Sequence, residues 1–148
     1  MPSPRGVVGL PSLLVTVGTR ACAIPLPYVM ETMRPLAIEP LADMPPFVLG
    51  AAIVRGAPVP VVSVSVLVGA GESRAPTRFV TIRVDARSVA LAVEAVEGVV
   101  TLDASAMAAM PPLLQHAAKD VIEAIAPLDD RLLLVLRAAR MIPERAAS

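Results

Sequence analysis

Groups able to do bond chemistry are sparse in this 148-residue chain: one histidine, His116, one cysteine, Cys22, and two acidic pairs, Asp129 with Asp130 and Glu94 with Glu97. Catalysis needs titratable groups gathered in a pocket. His116 follows Pro111-Pro112-Leu113-Leu114-Gln115, which reads as surface connection, so a solvated or locally bonded imidazole is expected. Cys22 lies in an apolar run and reads as a small buried hydrophobe. As the only cysteine it offers no internal disulfide and no metal-ligand spacing. Asp129-Asp130 reads as a turn, and Glu94 and Glu97 as solvated positions between valines; neither pair sets carboxylates across a cleft. Phosphate-loop, serine-elbow and metal signatures are all missing. The expectation is a chain that is not an enzyme and holds no metal and no cofactor.

Recognition chemistry has a better candidate in Arg55. It stands in a lone Arg55-Gly56 corner between two apolar, uncharged runs whose prolines forbid a continuous helix. Gly56 can take the positive φ of a tight turn, so the guanidinium projects from a rigid corner. Two outcomes are open there. Arg55 grips a carboxylate on a partner, or it bonds a carbonyl or nearby carboxylate and fixes its own turn.

Composition narrows the partners. Thirteen basic and thirteen acidic residues cancel, and the arginines are scattered; with 2% aromatic residues there are few base-stacking platforms. Nucleic acid is therefore an unsuitable partner. The hydrophobic fraction of 55% and mean hydropathy of +0.70 are high for a soluble domain, so part of the apolar surface is expected to face a partner or a second copy. No apolar run reaches the ~20 residues of a membrane-spanning helix. Arg5, Val7 to Val17 and Ala21-Cys22-Ala23 mimic a secretory signal, but Pro11, Gly18 and Arg20 interrupt it. A reducing, cytoplasmic setting is expected. The rival is a secreted β-barrel with a valine-lined cavity for a small apolar ligand.

Along the chain the signals are those of strands. Leu13 to Val17 and Ala21 to Leu26 flank Gly18-Thr19-Arg20 as an opening hairpin. Tyr28 to Arg34 alternates as a strand, which would put Val29 and Glu31 on one face. A proline-bearing connection leads to Phe47-Val48-Leu49-Gly50, and Val61 to Val66 reads as a strand covered on both faces. Gly69 to Pro76 is the most linker-like segment. Phe79 to Val84 and Val89 to Val93 form a hairpin echoing the first, with no visible sequence repeat. Val96 to Leu102 continues as strand, and Asp103 or Ser105 caps a helical turn. Lys119 to Ala126 fits helix or strand, Leu132 to Leu136 a fully buried strand, and Ala138 to Met141 a short helix stopped by Pro143.

The order of these segments resembles the CheW family of chemotaxis coupling proteins. Phe47 to Gly50 ahead of Arg55-Gly56, then Pro60-Val61-Val62, is similar to its Asn-Leu-Arg-Gly followed by Pro-Ile-Val-Asp-Leu-Arg. Val89 to Val93, Glu94 and Val96 to Leu102 resemble its Val-Gly-Ile-Val-Val-Asp-x-Val motif, and Leu128 to Leu136 its last strand.

The resemblance implies an all-β fold of two packed five-stranded SH3-like barrels with a short C-terminal helix. It places a CheW-like domain at 10–143, with barrels at roughly 10–75 and 76–143 and flexible tails at 1–9 and 144–148. It also implies a groove between the barrels for the tip of a chemoreceptor, and docking of the regulatory domain of a CheA-type histidine kinase on the first barrel. By position, the receptor-binding residues would be Val29, Glu31, Gly50, Arg55, Gly56 and Val99. The valines would form an apolar floor, with Glu31 and Arg55 pairing charges with the partner at the rim. Recruitment to membrane receptor arrays without membrane insertion follows.

Departures from the family pattern are Ile53 for Asn, Ser63 and Ser65 for the Asp and Arg after Pro60, and Ala90, Ala124 and Ala126 at frequent glycine positions. The serines suggest weakened kinase docking. That points to a divergent second adaptor, as in the Frz-type pathway of gliding bacteria, that binds receptor without kinase.

Overall fold

The computed structural model describes residues 9–71, 76–108 and 120–143. His116, Glu72 to Ala75 in the expected linker, and the tails outside 9–143 lie outside the described residues; Gly9 already belongs to the first strand. Ten strands form among the described residues: β1 (Gly9–Val17), β2 (Arg20–Pro25), β3 (Val29–Met33), β4 (Val48–Val54), β5 (Ala57–Ser63), β6 (Arg78–Val84), β7 (Arg87–Val93), β8 (Ala95–Asp103), β9 (Ile122–Leu128) and β10 (Arg131–Leu136). The one α-helix among the described residues is α1 (Val64–Leu67).

The strands divide into two five-stranded sheets, ordered β8-β1-β2-β10-β9 and β3-β6-β7-β5-β4. The expected division into barrels at 10–75 and 76–143 is thereby corrected. Hairpin β1–β2 completes a sheet with the C-terminal strands, and hairpin β6–β7 completes one with β3 to β5. Each half of the chain lends its leading hairpin to the other half's sheet. The parallel contacts that join the halves are β2 with β10, where Cys22 faces Leu134, and β7 with β5, where Leu91 faces Val62.

Backbone bridges close each sheet on itself. After β3, Glu39 exchanges two hydrogen bonds with Ala51 of β4, at 2.8 and 2.9 Å. After β8, Ala108 does the same with Ile125 of β9, both at 2.9 Å. In each case the chain leaving one margin of the sheet pairs with the opposite margin, which removes edges that could otherwise template further strands.

Alternation along the strands sorts side chains by size. In β7, Val89, Leu91 and Val93 join one large cluster, while Ala90 and Ala92 point into the other face with Phe79 and Val61. In β2, Cys22 and Ile24 enter the large cluster, while Ala21 and Ala23 face Leu14, Leu133 and Val135. The large cluster draws on both sheets and lies between them; each smaller one draws on a single sheet and fills its barrel. Small residues suit the tight barrel interiors, which accounts for Ala90, Ala124 and Ala126. The branched residues between the sheets each contribute about 1.5–3 kcal/mol on burial. Met141 and Ile142 extend this layer at the C-terminus, and Arg87 donates a hydrogen bond to the carbonyl of Pro143.

Three local readings change. The valine run does not stay extended: Ser63 caps α1, its Oγ accepting the Val66 N–H at 3.2 Å, and its cap overrides the β-branched residues after it. Leu132 is exposed although its neighbours Leu133 to Leu136 are buried. The expected C-terminal helix is a single 3-10 turn, Ala138–Arg140. The capping expectation at Asp103 holds, with Oδ1 accepting from the Ser105 N–H at 2.9 Å.

Candidate functional site

The β4–β5 turn has both central residues at positive φ, Arg55 at 50° and Gly56 at 81°. That is the twist a two-residue hairpin loop needs to match its strands. Arg55 therefore shares the left-handed conformation that was expected of Gly56 alone. No neighbouring atom lies within 4 Å of a Cβ built on Gly56, so its contribution is this backbone freedom.

From the turn, Arg55 reaches β3. Its Nε–H donates to Glu31 Oε1 at 2.8 Å and its Nη2 to Oε2 at 2.6 Å, a fork-to-fork ion pair. Hydrogen bonding to Arg55 holds the Glu31 carboxyl below its ordinary range and raises the Arg55 guanidinium in turn. The pair is solvent-exposed, so screening limits its worth to stability. Of the two outcomes open in the sequence, the carboxylate that Arg55 engages belongs to its own chain. In the free chain the two charges expected at the rim are engaged with each other.

Val29 does not share a face with Glu31. Val29 pairs with Ile82 and Glu31 with Thr81, with Met30 as the extra residue of a bulge. Ile82 and Thr81 are consecutive on β6 and point to opposite faces, so Val29 and Glu31 do as well. Val29 packs against the core between the sheets, whereas Glu31 lies on the barrel face.

Gly50 is buried in β4 with φ 149°, and a Cβ there would meet the Glu39 carbonyl oxygen at 2.1 Å. Glycine at this position admits the backbone bridge that closes the barrel, which makes it a structural requirement. Val99 lies on the other sheet, in β8, opposite Leu13. The structure thus brings Glu31, Arg55 and Gly56 together on one sheet and places Val99 on the other.

A second clamp went unread in the sequence. Arg131 of β10 donates from Nη1 and Nη2 to Oε1 and Oε2 of Glu97 at 3.0 and 3.1 Å, holding the Glu97 carboxyl below its ordinary range. Glu97 is the extra residue of a bulge in β8. The partners are 34 residues apart, beyond any local pattern. Glu94 is not free either: it sits at the crossover from β7 to β8, and its carboxylate accepts the Gly18 N–H while its own N–H bonds Thr16 at 3.0 Å.

Ser63 and Ser65 are buried, the second donating to the Gly71 carbonyl at 2.7 Å. Neither is a surface anchor, so the expected loss of kinase docking has no support from them. The layer between the sheets is packed with the chain's own Val, Leu and Ile side chains. Burial pushes the Cys22 thiol up to about 12, which removes it as a nucleophile. Among the described residues no group of His, Cys, Asp and Glu is arranged to hold a metal, and no helix is long and apolar enough to cross a membrane.

A family model described as CheW-like domain matches residues 11–146. No curated protein matches. Among solved structures, the chain is similar to the scaffolding protein TtCheW from Thermoanaerobacter tengcongensis, with TM-score 0.76 and 20% identity over 88% of this chain and 90% of that one.

Proposed function

This chain belongs to the CheW-like domain family, whose members are non-catalytic scaffolding proteins, and from that premise we propose that it is a cytoplasmic adaptor docking the signalling tip of a chemoreceptor. Coupling of that receptor to a CheA-type histidine kinase completes the proposal. Family membership across nearly the whole chain is the observation that carries it.

The site we favour is the surface around the Arg55–Glu31 pair. Because the pair is internally satisfied, it presents a nearly neutral, rigid rim in place of free charges, and docking energy must come from apolar contacts beside it. Met30 in the bulge and Ile53 two residues before Arg55 supply exposed apolar side chains there. Holding partners in fixed geometry needs only moderate affinity when receptors are arrayed. The ligand-barrel alternative is disfavoured, since packed side chains occupy the interiors of both barrels.

Calorimetry with a soluble receptor-tip hairpin, and separately with the kinase regulatory domain, tests the reading. Receptor binding that Met30→Asp or Ile53→Asp weakens at least tenfold supports it. Wild-type protein that binds neither partner overturns it.

A further inference from the structure

Beyond its own turn, hairpin β1–β2 pairs with strands of the other half of the chain, β1 with β8 and β2 with β10. It fills the centre of that sheet, between β8 and β10. Among the described residues one connection, Leu26–Tyr28, ties it to β3 and so to the other sheet. A unit that pairs far from its own connection can seat itself in its own chain or, with identical contacts, in a second copy.

The connection has little to hold it closed. Leu26–Tyr28 is a single 3-10 turn with no side-chain cap and no buried residue, closed by the hydrogen bond from the Val29 N–H to the Leu26 carbonyl. Its flanks are already extended, Pro25 at φ −55° and ψ 122° and Val29 at φ −75° and ψ 127°. The three residues of the turn must therefore change for β2 to run straight into β3. Pro27 favours the change: its ring biases Leu26 toward extended backbone, and it has no N–H to lend to the turn. Opening gives up the Val29–Leu26 hydrogen bond and the contact of half-buried Leu26 with the layer between the sheets.

The composition of the turn points to what covers it once open. Turns usually carry Gly, Asn, Asp or Ser. This one is Leu-Pro-Tyr, with Pro27 exposed and Tyr28 40% exposed. In a two-fold exchange the two open connections run past each other about the axis, which sets these apolar side chains of one copy against those of the other. The second exchanged hairpin, β6–β7, is pinned instead. Glu94, the single residue between β7 and β8, donates its N–H to the Thr16 carbonyl at 3.0 Å, and it accepts from Thr77 Oγ1 at its own carbonyl and from the Gly18 N–H at its carboxylate.

We infer that the chain forms a two-fold dimer by exchanging hairpin β1–β2 about a hinge at Leu26–Tyr28, so that residues 9–25 of each copy complete the sheet of β8, β10 and β9 in the other. The exchange does not depend on the receptor reading; together with it, one particle carries two Glu31–Arg55 surfaces and gains avidity for arrayed partners.

The test is the full-length protein refolded from urea at low and at high concentration, with mass read by light scattering. Concentrated refolding should yield a dimer that returns to monomer on dilution no faster than the chain unfolds. Thr16→Cys with Ala95→Cys, in a Cys22→Ala background, puts a disulfide across the β1–β8 pair. Oxidised dimers should then keep twice the chain mass in denaturing, non-reducing gels, and oxidised monomers should not. Deleting Leu26, Pro27 and Tyr28 removes the reversal at the hinge and should leave dimer alone. An intact hinge that yields only monomer after concentrated refolding overturns the inference. A dimer whose disulfides all lie within single chains also overturns it, by showing that the copies meet without exchange.

Discussion

Arg55 and Glu31 belong to opposite margins of one sheet, 24 residues apart in sequence, and meet through two charge-assisted hydrogen bonds. The contact, like the Glu39–Ala51 bridge, ties the last strand of the sheet to the first. A residue that looks unpaired in the sequence is thus engaged, still exposed, by a carboxylate of its own chain, and its functional meaning shifts from free charge to rigid rim.

Acid should expose the two clamps. The Glu31 and Glu97 carboxyls are lowered from an ordinary value of 4.5, so the unfolded chain takes up protons first as the pH falls. Their stabilisation is complete above that ordinary value and is lost as the pH drops through the folded-state values. Urea midpoints should therefore fall with pH below about 4.5, and the double variant Glu31→Gln, Glu97→Gln should show a shallower slope there. An identical slope would show that the clamps do not contribute.

Arg55→Glu sets two carboxylates against each other at the closing margin. The expected result is a modest fall in Tm, since the pair is exposed, together with weakened receptor-tip binding in calorimetry. Unchanged binding with a normal Tm would remove Arg55 from the docking surface.

At Gly50 the penalty is steric. Gly50→Ala drives a methyl group into the Glu39 carbonyl and should cost about 2 kcal/mol or more in urea unfolding. Gly56→Ala has open space and only an unfavourable φ, and should cost about 1 kcal/mol. Equal costs would refute the close-approach argument.

Packing predicts that the two faces of β7 lose stability to opposite changes of volume. Leu91→Ala opens a cavity between the sheets and should lose about 2–5 kcal/mol. Ala90→Leu overfills a barrel interior and should lose about 1–3 kcal/mol. Denaturant titration of both variants checks the assignment of Leu91 and Ala90 to separate clusters.

Cys22 should be silent in the native state. With its pKa pushed to about 12, a thiol reagent at pH 8 should label it only after denaturation. Rapid labelling of folded protein would contradict the buried position.

Short-range features were legible because they are written in adjacent residues. Gly18-Thr19 and Asp85-Ala86 join strands whose alternation is visible, and Arg55-Gly56 announces its own turn. Lone His116 and Cys22 gave no catalytic constellation to assemble. The family pattern also lay in local segments, so the all-β fold and the adaptor class followed from their order.

What escaped the sequence depends on long-range contact. Both sheets use the same valine-and-alanine alternation, so periodicity says nothing about which hairpin joins which sheet. One extra residue, Met30, reverses the side-chain parity that would have put Val29 and Glu31 together. Charge pairing across 24 or 34 residues exists only after the margins of each sheet close. The sequence by itself determined the strands, their turns and the kind of core they must bury, because these rest on local φ preference and side-chain polarity. Only the tertiary structure decided the exchange of hairpins, the two clamps and the placement of Val99 and Arg55 on different sheets, because packing and ladder hydrogen bonds select among pairings that local preference leaves equal.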